Sequence, residues 1–288
     1  MLSAVDRFLH VQYQNATKFY RKQRYQLSGR KPLTTGYWDY RYDSLKSILE
    51  NPVWLTRFAH KEPLPPGYGT RLDERIVEYP WLFSRLSSNA TRLLDAGSTL
   101  NHRFLLDLPI LRQKKLVIYT LAPEATTYLR ETISYIYGDL RATILKDELF
   151  DEIVCVSTLE HVGMNNTRLY TRDQRYKESR PKDYRVALRE LHRLLVPGGR
   201  LFLTVPYGRY QNLGWQQQFD QDMLSDALAI FGGTVREQVF FRYTPTGWIL
   251  SNAEECADCE YCDLPIKMQY DPDFAAAARA VACIEIVK

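Results

Sequence analysis

Three short apolar runs, each ending in a turn, constrain this 288-residue chain more than anything else in it. They are residues 92–101 (RLLDAGSTLN), 150–162 (FDEIVCVSTLEHV) and 195–206 (LVPGGRLFLTVP). Short runs dominated by apolar and β-branched residues and bounded by turn signals describe a strand covered on both faces, as in a parallel sheet flanked by helices. In the first run the strand delivers Asp95 and Gly97 to its carboxyl end, where open parallel sheets bind their ligands. Gly97 there allows a close backbone approach.

The composition suits one large soluble domain with an appendage: 45% of residues are apolar and 25% charged. No apolar run approaches the roughly 18–20 residues that cross a bilayer, and the first residues lack the uninterrupted apolar stretch of a signal peptide. Five scattered cysteines do not form a disulfide framework. Together these predict a cytoplasmic protein without a membrane span. The net charge of +4 is uneven. Residues 1–70 hold eleven Lys/Arg against five Asp/Glu, and no acid lies between Arg7 and Trp38. Lys18, Arg21, Lys22, Arg24, Arg30 and Lys31 alternate there with Tyr13, Phe19, Tyr20 and Tyr25, a pattern that occurs in nucleic-acid binders. The helical spacing of Leu9, Tyr13, Ala16 and Tyr20 favours a different reading: an amphipathic helix packed on the main domain, its basic face in solvent.

Pro63, Pro65, Pro66, Gly67 and Gly69 form the clearest break, which divides a helical appendage (1–67) from the main domain (68–288). Beyond it a helix is expected over 72–86, interrupted at Pro80. Strands follow at 92–96, 115–120, 133–137, 152–157 and 200–205, with two late ones near 234–242 and 280–287. Segments between them are long enough for crossover helices, among them 186–195 and 221–231. The prediction is a doubly wound, mostly parallel, Rossmann-like sheet of seven strands with helices on both faces.

At these residues the chain resembles the class I S-adenosylmethionine-dependent methyltransferases, in particular the type 11 group, from about Tyr68 to Val205. Asp95 and Gly97 match the family's acidic first loop, Gly138-Asp139 its third, Leu159-Glu160-His161 the segment after strand four, and Val196-Pro197-Gly198-Gly199 the turn into strand five. The resemblance implies S-adenosylmethionine as cofactor, held by Asp95, Gly97, Ser98, Thr120, Asp139, Leu140 and Ser157, with Asp95 and Gly97 at its amino-acid end and Asp139 at the adenine amino group. Two departures stand out. The first loop holds one glycine where the family has two or three. Thr120 stands where the family places the carboxylate that accepts both ribose hydroxyls, and Glu124 is the nearest replacement.

Methyl transfer to a hydroxyl needs alignment and removal of a proton. His161, with an imidazole's near-neutral pKa, is the candidate base, and Glu160 its orienting partner. Residues 163–183 insert polar and basic side chains beside it and read as a lid, in which Arg168, Tyr170, Arg172, Arg175 and Tyr176 offer charge and stacking to an acceptor. Tyr207 and Arg209, beyond strand five, are expected to approach from the other side. Cys256, Cys259 and Cys262 have the spacing of a metal hairpin but no fourth ligand nearby, so no metal is expected. The sequence reading is therefore O-methylation of a small-molecule or saccharide-like hydroxyl. DNA base methylation is disfavoured, because strand four does not end in an Asn/Asp-Pro-Pro-aromatic segment. A degenerate fold serving as a binding or scaffold protein is the alternative. A nicotinamide-dependent oxidoreductase fits less well, since one glycine makes a poor pyrophosphate cradle.

Overall fold

A computed structural model describes residues 4–89, 92–168 and 170–288, with backbone alone for 4–11 and 15. Four helices come first: α1 (Ala4–Leu27), α2 (Tyr37–Leu49), α3 (Pro52–Ala59) and α4 (Arg75–Phe83). The orientation of α1 corrects the sequence expectation. Tyr13 and Tyr20 are 71% and 67% exposed, and the side chain of Leu9 lies outside the described residues. It is the basic face that turns inward. Arg21 donates to Asp39 at 2.7 Å, and both Lys18 and Lys22 reach Asp43. The reason is visible in the sequence: the first acids after the acid-free stretch are Asp39 and Asp43, four apart and so on one face of α2. Ion pairs this exposed contribute little each. Tyr25 supplies the anchor, fully buried against the rings of Tyr37 and Tyr40.

Asn51 caps α3 by accepting from the Val53 amide, with Pro52 at the first position. Helix α4 runs through Pro80 instead of breaking there. A proline leaves the carbonyl four residues earlier without its donor. Here that carbonyl, on Ile76, accepts the Tyr68 hydroxyl at 2.7 Å.

The strands are β1 (Arg92–Ala96), β2 (Lys115–Thr120), β3 (Ile133–Tyr137), β4 (Phe150–Val156), β5 (Leu195–Pro206), the small pair β6 (Gln211–Asn212) and β7 (Gln217–Gln218), then β8 (Thr234–Thr244), β9 (Gly247–Ser251) and β10 (Ala280–Val287). Eight of them form one sheet in the order β3-β2-β1-β4-β5-β10-β8-β9. β3, β2, β1, β4 and β5 are parallel, whereas β10 runs antiparallel to both β5 and β8. The sheet thus has one strand more than predicted. β9 folds back on β8, and its buried Trp248 donates from the main chain to Tyr68 O (2.8 Å) and from Nε1 to Leu72 O (3.0 Å).

The period-two alternation of the strands divides two cores. Leu93, Leu116, Ile118, Val154 and Phe202 face one side, packed with α2, α3 and α4. Leu94, Ile153, Cys155, Leu201 and Leu203 face the other, packed with α7 (Tyr184–Leu194) and α8 (Gln221–Phe231). Tyr25, Leu45 and Phe58 share the first core with Leu93, so the Pro/Gly break near residue 67 does not separate two cores. Crossovers on that side are reduced. Between β1 and β2 there are only two single turns, α5 (Arg103–Leu106) and α6 (Pro109–Arg112), and no helix stands between β2 and β3 or between β3 and β4 among the described residues. The N-terminal helices cover much of the surface that crossover helices were expected to cover. Two further turns, α9 (Ala253–Cys256) and α10 (Leu264–Lys267), precede β10. No helix among the described residues is long and apolar enough to cross a membrane.

One buried charge cluster ties the amino end of the sheet together. Glu152, 1% exposed, accepts from the Ser87 amide (2.9 Å), from Lys114 Nζ (2.8 Å) and from Arg200.

Candidate active site

β1 and β4 are adjacent although three strands apart in sequence, and at this switch point the chain leaves to opposite sides. A cavity of about 410 Å³ opens over their carboxyl ends. Its floor comes from Gly97–Thr99 after β1, from Thr120, Leu121 and Glu124 after β2, and from residues 138–141 after β3. Ser157, Thr158 and His161 after β4 form one wall, together with Tyr170 and Tyr176 of the loop beyond. The roof was not foreseen. Trp38, Arg41 and Tyr42 of α2, Arg75 and Tyr79 of α4, and His102 close the cavity from above.

The loop after β1 is fixed by its own residues. Asp95, wholly buried, accepts from the Thr99 amide and hydroxyl (both 3.1 Å) and from the Leu100 amide (2.8 Å). It does not line the cavity, which corrects the expectation that it contacts a ligand: its carboxylate is spent on the turn. Burial pushes that carboxyl up to about 7 despite the three donors. Gly97 has φ +121°, and a Cβ there would overlap Thr158, whose own Cβ would lie 2.7 Å away. Ser98 also takes the left-handed conformation (φ 62°), and its buried Oγ has no partner. Tyr79 on the roof donates to Thr99 O at 2.6 Å and locks loop to helix.

After β2, Thr120 is in the floor and buried, its carbonyl accepting from the Gly138 amide at 2.8 Å. Glu124 is exposed at the cavity edge and accepts from Asn101 Nδ2 at 2.6 Å. After β3, both oxygens of Asp139 accept from Arg141, which also pairs with Asp183 (2.6 Å) and Glu178 (2.8 Å). The Arg141 hydrogen bonds hold the Asp139 carboxyl below the ordinary range despite burial. Leu140 stands beside it in the floor, partly backed by the second core.

After β4, the Ser157 hydroxyl donates to Glu78 Oε1 at 2.6 Å, so this wall residue is directed toward α4. His161 ends a 3₁₀ turn (Leu159–His161) and is 8% exposed. Its Nδ1 lies 3.1 Å from the Trp215 carbonyl oxygen, which can only accept, so Nδ1 carries the proton and Nε2 the lone pair. Burial lowers the imidazole to about 4, against the near-neutral value expected from sequence. Glu160 sits behind it, 1% exposed and outside the cavity wall, with Oε1 4.0 Å from His161 Nε2 and Oε2 unpartnered. Burial drives its carboxyl well upward.

The lid segment is a folded wall. Arg180 donates its amide to Gly163 O at 2.7 Å, Asn165 bridges to Lys177, and Arg141 grips Glu178 and Asp183. Tyr170 meets His161 edge-on at 5.3 Å. Of the predicted acceptor residues, only Tyr170 and Tyr176 line the cavity; Arg168, Arg172, Arg175, Tyr207 and Arg209 lie elsewhere. Arg168 stacks over Trp215 and lies 3.6 Å from Asp263, outside the cavity wall. Tyr207 is buried in the second core, donating to Gln221 Oε1 at 2.9 Å and packed on Phe240, because the alternation of β5 continues one residue past Pro206. Arg209 is on the surface with Asp258 and Glu260. Arg175 is exposed and paired with Asp173. Cys256, Cys259 and Cys262 are buried free thiols, and no cluster of three His, Cys, Asp or Glu side chains among the described residues is arranged to hold a metal ion.

Trp38, Arg41, Tyr42, Arg75, Tyr79 and His102 are the residues that sequence reasoning missed. Their signal was there: Trp38, Arg41 and Tyr42 recur at three and four residues, and Arg75 and Tyr79 at four, each a polar and aromatic stripe on one helix face.

Residues 97–203 match the family model described as a methyltransferase domain. The chain is also similar to solved structures. These include the 1,6-didemethyltoxoflavin-N1-methyltransferase of Burkholderia thailandensis with bound 1,6-didemethyltoxoflavin and S-adenosylhomocysteine (16% identity, 69% of this chain and 71% of that one, TM-score 0.42). Others are the [4+2]-cyclase SpnF (15%, 84% and 93%, TM-score 0.46) and an S-adenosylmethionine dependent methyltransferase from Mesorhizobium loti (14%, 73% and 97%, TM-score 0.42). No curated protein matches the chain. The methyltransferase-domain match thus runs from the loop after β1 into β5, across the strand ends whose loops form much of the cavity.

Proposed function

We propose that the protein is a class I S-adenosylmethionine-dependent methyltransferase and that it methylates a hydroxyl of a small, polar or saccharide-like acceptor enclosed between the β4 wall and the N-terminal helices. The observation that carries this is His161: one ring nitrogen is fixed on the Trp215 carbonyl, and the residue lines the same cavity as Gly97, Ser98, Asp139 and Leu140. The cofactor supplies an electrophilic methyl group on a sulfonium. Residues that fit it are Gly97 and Ser98 for its amino-acid end, Glu124 and Thr120 for the ribose, and Asp139 and Leu140 for the adenine. The unpartnered Ser98 Oγ and the Cβ-free backbone at Gly97 support that assignment.

His161 then accepts the acceptor hydroxyl at Nε2. An imidazole lowered to about 4 stays neutral at all physiological pH, so this acceptor is always available. It is a weak base, suited to taking the proton as the methyl arrives, when the hydroxyl proton becomes strongly acidic. Tyr170 and Tyr176 bound the acceptor on the lid side. Five free thiols suit a reducing cytoplasm. The test uses His161→Asn with methyl-labelled cofactor and a library of hydroxylated metabolites. S-adenosylhomocysteine affinity is expected to stay within about twofold while turnover falls roughly 100-fold or more. Unchanged turnover would remove His161 from the reaction.

A further inference from the structure

The two halves of the cavity differ in charge. The acids in its floor, Glu124 and Asp139, belong to the β2 and β3 loops and already hold Asn101 and Arg141. The roof presents two guanidinium groups, Arg41 and Arg75, and no carboxylate. Arg75 pairs with Glu78 on its own helix. Arg41 is less completely used. Its Nη1 donates to Asp73 at 3.0 Å, and its Nε has no partner.

Arg41 is also held still. Asp73 accepts from the Tyr37 hydroxyl at 2.9 Å as well, and the Arg41 guanidinium lies 4.9 Å from the Trp38 ring centre and 5.4 Å from that of Tyr42. The residue is 6% exposed. A buried guanidinium with an unused donor destabilises the fold unless something accepts from it. Its planar fork matches a carboxylate, and flanking aromatic rings offer a flat surface beside it. We propose that Arg41, between Trp38 and Tyr42, is a specificity-determining residue that receives a carboxylate on the methyl acceptor, so that the substrate class is a small hydroxylated carboxylic acid. This rests on the cavity being the acceptor site, as argued above.

The test titrates the S-adenosylhomocysteine-saturated enzyme with D-glucuronate and 4-hydroxybenzoate, each against its primary amide, by ligand-observed NMR. At least one carboxylate is expected to bind tenfold or more tightly than its amide. In Arg41→Gln that preference should vanish while S-adenosylhomocysteine affinity stays within twofold, and Arg41→Lys should recover part of it. If neither carboxylate outbinds its amide, the proposal is overturned, and this comparison needs only the wild-type protein. If Arg41→Gln weakens S-adenosylhomocysteine as much as the carboxylate, Arg41 serves the cofactor and the proposal also fails. Loss of S-adenosylhomocysteine binding by the wild type would instead remove the cofactor assignment on which the site rests.

Discussion

Gly97→Ala tests whether the loop after β1 is shaped by β4. Two costs act at once. With φ at +121° the backbone is in a region that L side chains rarely adopt, which costs about 1–3 kcal/mol. The new Cβ also meets Oγ1, Cγ2 and Cβ of Thr158. Thr158 cannot readily turn away, because it is short, β-branched and bonded through Oγ1 to Val156 O at 3.0 Å. Overpacking of this kind costs a further 1–3 kcal/mol or so. The sum, about 2–6 kcal/mol, is a large share of the stability of an ordinary domain. Urea denaturation followed by circular dichroism measures it, and calorimetry with S-adenosylhomocysteine measures the accompanying loss of affinity. Thr158→Gly removes all three overlapping atoms but leaves φ unchanged. The double variant should therefore recover the overpacking part alone, a favourable coupling of about 1–3 kcal/mol in the cycle. A Gly97→Ala protein as stable as wild type, or a cycle with no coupling, would refute the reasoning.

Ser98→Gly should split two properties: the left-handed backbone relaxes and stability rises by about 1 kcal/mol, while S-adenosylhomocysteine binds more weakly for want of the hydroxyl. Equal or tighter binding would show that Oγ has no role in holding the cofactor. Glu152→Ala strips Lys114 and Arg200 of their shared buried partner and should cost about 3–5 kcal/mol in urea denaturation; a cost under about 1 kcal/mol would mean that water replaces the carboxylate. His161 should remain neutral from pH 8 to 5, its ring resonances shifting only near pH 4, and activity should fall only as protonation takes the Nε2 lone pair there. The same shift predicts that this group's contribution to stability is lost as pH falls from about 6.5 to 4, since the unfolded chain binds the proton first. Asp95, raised to about 7, has the opposite sign between about pH 4 and 7, so residue-specific NMR separates the two where a melting curve would not. A His161 titration near pH 6.5 would contradict its placement.

The sheet was legible because its strands are locally determined. β2, β3 and β10 lie where alternation and apolar runs put them, whereas β5 starts at Leu195, ahead of the glycines at 198–199 that were expected to precede it. β9 was missed because five residues that start on the glycine of a Pro-Thr-Gly turn carry little signal until Trp248 finds Tyr68 and Leu72, nearly 180 residues earlier. The inverted face of α1 was missed for a related reason: periodicity locates the two faces of a helix, but Asp39 and Asp43 decide which is inward. Within the site, the strand-end residues Gly97, Thr120, Asp139, Ser157 and His161 line one cavity, as their positions after parallel strands require. Asp95 shows the limit of motif matching, since a carboxylate at a strand end can serve its own loop. Tyr207 shows the limit of proximity, since one residue of register separates the cavity from the core. The roof was illegible because Arg41 and Arg75 reach the cavity only through the packing of α2 and α4 over the sheet.

The most direct test of the account is a crystal structure with S-adenosylhomocysteine. It should place the adenine beside Asp139 and Leu140, the ribose at Glu124 and the amino-acid end over Gly97 and Ser98, with His161 and Arg41 still facing the remaining space. A ligand bound elsewhere on the sheet, or one that fills the space beside His161 and Arg41 and leaves no room for an acceptor, would contradict it.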